Sequence, residues 1–195
     1  MAVETHIYDS NFFRNTKKLE MSSAAAFADI ILKHYIPESI VDIGCGAGIY
    51  LNEFDKRGVK SLLGIDGSPA AAKEFLLNKD KLVIFDLAEE YKFKKKYDLC
   101  LCLEVAEHLR KEDADTLART LTRAADNIIF TAAVPGQGPR SIGHINEQPH
   151  EYWIEKFQHQ GFSYLESETE EMKQEMKEKE VVWWLVNNLM IFRKK

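Results

Sequence analysis

Apolar positions in this chain follow two patterns that alternate along most of its length. Short apolar runs, typical of buried parallel strands, occupy residues 39–43, 61–66, 81–85, 97–103 and 127–133. Apolar residues at helical spacing, or a proline at the first helical position, favour helices over 49–58, 69–78 and 111–125. This alternation predicts an α/β fold, doubly wound around a mostly parallel sheet with helices on both faces.

The two ends of the chain extend this pattern. Before the first strand, apolar residues at helical spacing predict a helix from Lys17 to Tyr35, which Pro37 ends. After the fifth strand we predict a loop over 134–147, a helix over 152–159 and a strand over 162–165. A charged solvent-facing helix over 166–180 and a seventh strand over 188–193 are predicted to follow. The seventh strand is expected at the sheet edge or paired antiparallel. We interpret region 1–36 as a helical lid.

Composition narrows the class of protein. The chain has 195 residues, 45% of them hydrophobic, so we expect one domain over 1–195 with a sizeable core. A formal net charge of −5 argues against a protein that coats nucleic acid or an acidic membrane, and neither is expected as a partner. Its three cysteines form no paired framework, and the sequence shows neither a secretion leader nor an apolar run of membrane-spanning length. These features favour the cytoplasm and a monomer or homodimer.

A glycine-rich turn after the first strand is the most distinctive stretch of the sequence. Gly44, Gly46 and Gly48 alternate there with small residues, between a strand and the start of a helix. Glycine permits the sharp turn and lets a ligand lie against the main chain, while the helix N-terminus suits a carboxylate or phosphate. Asp42 adds a carboxylate beside the turn, which favours a ligand with a cationic or hydroxyl group over a pyrophosphate.

Acidic residues stand at the ends of the next three strands. Asp66 ends the second strand about 20 residues after the turn, a position from which a carboxylate binds the ribose hydroxyls of a nucleotide. Asp86 follows the third strand and Glu104 the fourth. Because the carboxyl ends of parallel strands share one edge of the sheet, we expect a nucleotide-like ligand to bind there.

The turn, the acidic strand ends and the fourth strand together resemble successive motifs of the class I S-adenosylmethionine-dependent methyltransferases. The matching stretches are 41–48, Asp66, Asp86 and 97–109, in the order that the family shows. The resemblance covers nearly the whole chain and implies a Rossmann-like fold and S-adenosylmethionine as cofactor. It also implies methyl transfer to a small-molecule acceptor, with a hydroxyl oxygen as the expected acceptor atom, as in O-methyltransferases of natural products, sugars and the ubiquinone pathway.

The resemblance assigns roles to the residues at this edge. The glycine turn is expected to hold the methionine part of the cofactor and Asp66 its ribose. Residues after the third strand are expected to contact the adenine, and those after the fourth to border the sulfonium. The predicted cofactor-binding residues are Asp42, Gly44, Cys45, Gly46, Gly48, Asp66, Gly67, Asp86, Leu87, Glu104 and Val105.

Histidines near this edge are candidates for catalysis. Transfer to a hydroxyl is helped by a general base, and a histidine that titrates near neutral pH is the usual one. His144 lies in a Gly-x-His-x-Asn run just after the fifth strand, similar to a segment of small methyltransferases, and is the preferred base. His108 and His150 are the other candidates.

A metal site is a further hypothesis. Glu104, Glu107 and His108 are spaced so that one helical turn would bring them to one face, with His144 facing them from the loop. Such a set can hold a divalent cation such as Mg²⁺. The Glu-x-x-Glu-His pattern resembles small-RNA ribose methyltransferases and ubiquinone-pathway enzymes that bind a metal. Metal-free relatives carry it too, so a hydrogen-bond network is the alternative.

Two other functions fit part of the sequence. An NAD(P)-dependent oxidoreductase would use the spacing of Asp66, but it expects a third glycine where this chain has Ile49. A non-catalytic module would keep the fold and bind the cofactor or a partner without turnover.

Overall fold

The computed structural model describes residues 7–137 and 142–195. Residues 1–6 of the predicted lid region and 138–141 of the predicted loop lie outside this description. The strands are β1 Ser39–Ile43, β2 Ser61–Asp66, β3 Leu82–Ile84, β4 Leu99–Leu103, β5 Asn127–Thr131, β6 Phe162–Tyr164 and β7 Met190–Lys194. They form one seven-stranded sheet in the order β3-β2-β1-β4-β5-β7-β6. The first five strands are parallel, which confirms the expected fold class.

Helices cover both faces of this sheet. They are α1 Ser10–His34, α2 Ile49–Lys56, α3 Ala71–Glu74, α4 Ala114–Ala124, α5 His150–His159, α6 Glu166–Glu178 and α7 Trp183–Asn188. One buried cluster joins one face to α1, α2, α3, α6 and α7, and contains Phe27 and Phe54. The second joins the other face to α4 and α5, and contains Leu117 and Trp153. No helix of the described residues is long and apolar enough to cross a membrane.

The position of the last strand differs from one of the two expectations. β7 is antiparallel to β5 and β6, as one expectation states, but it lies between them rather than at the edge. Met190, Ile191 and Phe192 are fully buried, and such a run needs a neighbour on each side and cover on both faces. The three-residue strand β6 takes the edge instead.

The helices near the site also differ from prediction. α1 begins at Ser10 rather than Lys17, because the carboxylate of Asp9 caps it by accepting from the N–H groups of Asn11 and Phe12, each at 2.8 Å. α3 is much shorter than the predicted helix 69–78. The chain leaves it at Phe75, whose ring packs against the glycine turn. Helix α7 was not predicted.

Candidate active site

The carboxyl ends of the first four strands open into one cavity of about 1100 Å³. The start of α1, the loop after β5 and the start of α7 contribute its other walls. Of the predicted cofactor-binding residues, all except Gly48 line this cavity, and His108 and His144 line it as well. The structure therefore brings the predicted residues together at one edge of the sheet.

Two glycines of the turn are required by its backbone and packing. Gly44 has a φ of +83°, and a Cβ there would lie 2.2 Å from Cγ2 of Val105. Gly48 begins α2 with a φ of +71°, and a Cβ there would lie 2.5 Å from a ring carbon of Phe75. Gly48 thus packs against Phe75 outside the cavity lining, whereas Gly44 lines the cavity.

The N–H groups of the turn are used within the protein. Those of Gly44 and Cys45 donate to the carbonyl oxygen of Ile65, at 2.7 and 3.1 Å. The N–H of Gly46 donates to Oδ2 of Asp66 at 2.8 Å. With these three donors satisfied, the turn has fewer free N–H groups to offer an anionic ligand than its sequence predicts. This suits an ammonium group better than the carboxylate or phosphate that the turn alone predicts.

The carboxylate of Asp66 is held in a fixed orientation at the end of β2. Its Oδ1 accepts from the N–H of Ser68 and its Oδ2 from the N–H of Gly46, both at 2.8 Å. Burial raises the pKa of Asp66, while these two hydrogen bonds oppose the rise. Each oxygen keeps a lone pair for a ligand hydroxyl. Asp86 and the buried Leu87 follow β3 on the same rim.

The cavity is strongly acidic. Asp42 is only 2% exposed, and burial, followed by the charges of Asp66 and Glu20, raises its pKa to about 8. Burial also raises the pKa of Glu20, from α1, to about 7. Among the described residues, no lysine or arginine lines the cavity. This environment fits a ligand that carries an ammonium and a sulfonium, as the expected cofactor does.

Glu104 departs from the predicted geometry. It has a φ of +54°, in the left-handed region that a glutamate rarely adopts, and precedes the short 3₁₀ turn Ala106–His108. Its N–H donates to the backbone and side-chain oxygens of Thr131, and its carboxylate accepts from Nδ2 of the buried Asn188 at 3.0 and 3.1 Å. Glu104 therefore does not share a regular helical turn with Glu107 and His108 as predicted, although its carboxyl group stays within hydrogen-bonding reach of that of Glu107.

Three of the four predicted metal ligands still form a group. Potential ligand atoms of Glu107, His108 and His144 all lie within 4.8 Å of one another, and Glu104 is outside this group. Glu107 is fully buried, and its Oε1 accepts from the N–H of Ala133 at 3.2 Å. Within the described residues its Oε2 has no hydrogen-bond partner. Burial and the nearby charge of Glu104 raise the pKa of Glu107.

Hydrogen bonds orient both imidazoles. Nδ1 of His144 lies 2.9 Å from Oε1 of Glu147, and Nδ1 of His108 lies 3.2 Å from the carbonyl oxygen of Gly143. An ionised carboxylate only accepts, so this partner assigns the proton of the His144 ring to Nδ1 and its lone pair to Nε2. Nδ1 of His108 also lies 2.7 Å from the Tyr8 hydroxyl, which can donate to it or accept from it. Burial and the neighbouring His144 lower the pKa of His108 to about 4, so His108 is neutral at pH 7.

Several site residues were missed by the sequence analysis. Tyr8 reaches His108, with its hydroxyl 2.7 Å from Nδ1. Glu20 lines the cavity from α1, and Asn188 holds Glu104 from α7. These residues are distant in sequence from what they contact, and no local pattern marks them. Only Glu147 had a local signal, because it follows His144 by three positions in the same loop.

Comparison with known proteins agrees with this geometry. A family model described as a methyltransferase domain matches residues 16–178. Among solved structures, the chain bound to the Trm112 methyltransferase activator of Haloferax volcanii superposes with a TM-score of 0.67 and 14% identity, covering 100% of this chain and 98% of that one. The sugar N-methyltransferase KedS8 of Streptoalloteichus superposes with a TM-score of 0.66 and 12% identity, covering 95% and 92%. These two likenesses concern the fold.

A curated relative matches a shorter stretch. The tRNA U34 carboxymethyltransferase of Helicobacter acinonychis is 34% identical over 40% of this chain and 33% of its own length. The chain thus matches about a third of the curated relative.

Proposed function

This chain belongs to the methyltransferase-domain family, as a class I S-adenosylmethionine-dependent enzyme, and from that premise we propose that it methylates a hydroxyl oxygen of a small molecule. The observation that carries the proposal is the pair of His144 and Glu147. Their contact leaves a basic Nε2 on a residue that lines the same cavity as the cofactor-binding residues. Residues 7–36 then form part of a lid over that cavity.

The residues at the strand ends fit the cofactor. Asp66 would accept from the ribose hydroxyls and Asp86, with Leu87, would contact the adenine. Asp42 and the carbonyl oxygens of the turn would hold the ammonium group of the cofactor. Gly67 would lie between the ammonium and adenine ends, and Glu104 and Val105 would lie beside the sulfonium. When bound, S-adenosylmethionine supplies a methyl group on a positively charged sulfur. The protein contributes position, because in-line approach of the acceptor oxygen is what direct displacement requires.

His144 would remove the acceptor proton. Its Nε2 accepts the hydroxyl proton as the oxygen attacks, while Nδ1–H keeps its hydrogen bond to Glu147. The carboxylate fixes the tautomer and stabilises the imidazolium that forms. The proton then passes from Nε2 to solvent, and the ring returns to its starting state.

A divalent cation is a second candidate at the same place. Glu107, His108 and His144 offer one carboxylate and two imidazoles, whose potential ligand atoms all lie within 4.8 Å of one another. Two nitrogen ligands suit Mn²⁺ or Zn²⁺ better than Mg²⁺, which prefers oxygen. A cation bound by Nε2 of His144 would activate the acceptor hydroxyl in place of the base.

One labelling experiment distinguishes a histidine base from a bound metal and tests which atom receives the methyl group. We expect methyl-labelled S-adenosylmethionine to label hydroxyl compounds in a metabolite extract, and mass spectrometry to locate the label on oxygen. With histidine as the base, transfer continues in a chelator. With a metal, the chelator stops transfer and Mn²⁺ or Mg²⁺ restores it. Label on nitrogen or carbon would contradict the hydroxyl proposal, and cofactor binding without any transfer would indicate the non-catalytic module.

Cofactor affinity is expected to rise with pH from about 6 to about 7.5. In the free protein Asp42, with its pKa of about 8, and Glu20, with its pKa of about 7, hold protons over this range. A cationic ligand favours the ionised carboxylates, so binding releases protons. Calorimetry of S-adenosylmethionine in buffers of different ionisation heat counts the protons released.

Asp42→Asn is the matched control for this pH dependence. It should flatten the rise and weaken binding. Because the folded pKa of Asp42 lies above the unfolded value of ~3.9, its contribution to stability is present below that value and is lost as the pH rises through about 8. The variant should therefore unfold at a higher temperature than the unchanged protein at high pH. An affinity that is independent of pH in both proteins would contradict the prediction.

A further inference from the structure

One part of the cavity mouth is apolar. Leu19 of α1, Ile142 of the loop after β5 and Trp183 of α7 are 62%, 61% and 53% exposed. All three also line the cavity. Side chains that both line a cavity and reach solvent lie where it opens. Exposed large apolar side chains that gather at one opening mark a surface that a ligand covers.

The aromatic part of this mouth is held in place. The rings of Trp183 and Trp184 meet edge to face with their centroids 5.7 Å apart, and Trp184 also lines the cavity. The N–H of Val182, just before α7, donates to Oγ of Ser23 on α1 at 3.1 Å. The indole of Trp183 therefore presents a positioned flat surface rather than a loose side chain.

The charge of the cavity restricts what enters. Its described lining carries the carboxylates of Asp9, Glu20, Asp42, Asp66, Asp86 and Glu104. No lysine or arginine among the described residues balances them. An acceptor with a carboxylate, sulfate or phosphate would find no cationic side chain among the described lining residues, and its desolvation would be uncompensated.

The size of the cavity leaves space for two molecules. Its volume of about 1100 Å³ lies at or above the ~300–1,000 Å³ that is usual for one small-ligand site. The strand-end carboxylates account for one ligand. The apolar part of the mouth accounts for a second, and His144 belongs to the same lining.

We infer that the methyl acceptor is an uncharged molecule with a flat apolar body, which lies against Trp183, Leu19 and Ile142. This inference rests on the proposed function, because it takes the apolar mouth as the acceptor half of the same site. The acceptor hydroxyl would point inward to His144, and the apolar body would remain at the mouth.

A matched pair of probes tests this inference. 1-Naphthol and 1-naphthoate share one ring system and differ in charge at neutral pH. We expect calorimetry to show that naphthol binds at least about tenfold more tightly than naphthoate, because the charged carboxylate loses water without gaining a cationic partner. Trp183→Ala and Leu19→Ser should each weaken naphthol binding about fivefold or more, as loss of an apolar anchor does. The control Ile84→Ser, at an apolar side chain that is 41% exposed and outside both the cavity lining and the lid region, should change nothing.

The titrations are run with and without S-adenosylhomocysteine, so that two failures are distinguished. Equal or tighter binding of naphthoate, or naphthol affinity unchanged in both Trp183→Ala and Leu19→Ser, would overturn the inference while cofactor binding stands. Failure of S-adenosylhomocysteine to bind would contradict the proposed function instead. Retained S-adenosylhomocysteine affinity in each variant shows that it is folded.

Discussion

Asp66→Ala is expected to weaken S-adenosylhomocysteine binding at least about 100-fold. The carboxylate is fixed by the N–H groups of Gly46 and Ser68, so it meets the two ribose hydroxyls without reorganisation. Hydrogen bonds to a charged group contribute about 1.5–3 kcal/mol each, and losing two corresponds to at least about two orders of magnitude in affinity. Isothermal calorimetry measures the change directly.

Control variants separate this loss from misfolding. Asp66→Ala also removes the acceptor of two backbone N–H groups, so its unfolding temperature must be measured beside its affinity. Asp66→Asn keeps one oxygen and should fall between the two proteins. Asp80→Ala removes an exposed carboxylate outside the cavity lining and should bind as the unchanged protein does. An Asp66→Ala variant that stays folded and keeps its affinity would place the ribose elsewhere.

The strand-end part of the site was predictable from sequence for a local reason. A buried parallel strand shows as an apolar run, and the residue after the run lies at the carboxyl edge of the sheet. Asp42, Asp66, Asp86 and Glu104 could thus be placed on one rim before any contact was known. The cavity lined by all four confirms that step.

The walls that come from other segments were not predictable in the same way. Asp9 caps α1 in a polar stretch where apolar spacing gives no signal. The predicted start of the helix, at Lys17, therefore lies after its actual start at Ser10. The interior position of β7 depends on which strand pairs with β5, and that choice is made by long-range packing. Glu20 and Asn188 enter the site through these elements. Their roles therefore needed the structure.

The left-handed Glu104 illustrates how the site overrides local preference. An L-residue at a φ of +54° costs free energy that its neighbours must offset. The N–H bonds to Thr131 and the amide of the buried Asn188 hold it there, with the carboxylate against the cavity. The carboxyl group of Glu104 thereby lines the cavity while it remains within hydrogen-bonding reach of the carboxyl group of Glu107.

His144→Ala is expected to lower kcat by about 10²–10⁴-fold, the usual contribution of a general base, with S-adenosylhomocysteine affinity unchanged. Glu147→Gln keeps the size of the side chain but weakens the stabilisation of the imidazolium, so it should lower kcat less than His144→Ala does. The measurement is steady-state methyl transfer to the acceptor that labelling identifies. His150→Ala is the matched control, because His150 begins α5 outside the cavity lining and should leave kcat unchanged.

Glu107→Gln decides whether His144 acts as the base or as a metal ligand. If it is the base, Glu107→Gln lowers kcat much less than His144→Ala, since the buried Glu107 does not line the cavity. If it is a ligand, the two variants lose similar activity, and excess Mn²⁺ restores part of it in Glu107→Gln. A His144→Ala enzyme with full activity would contradict both roles. Catalysis would then depend on positioning alone, which direct displacement at a sulfonium carbon permits when the acceptor oxygen is already nucleophilic.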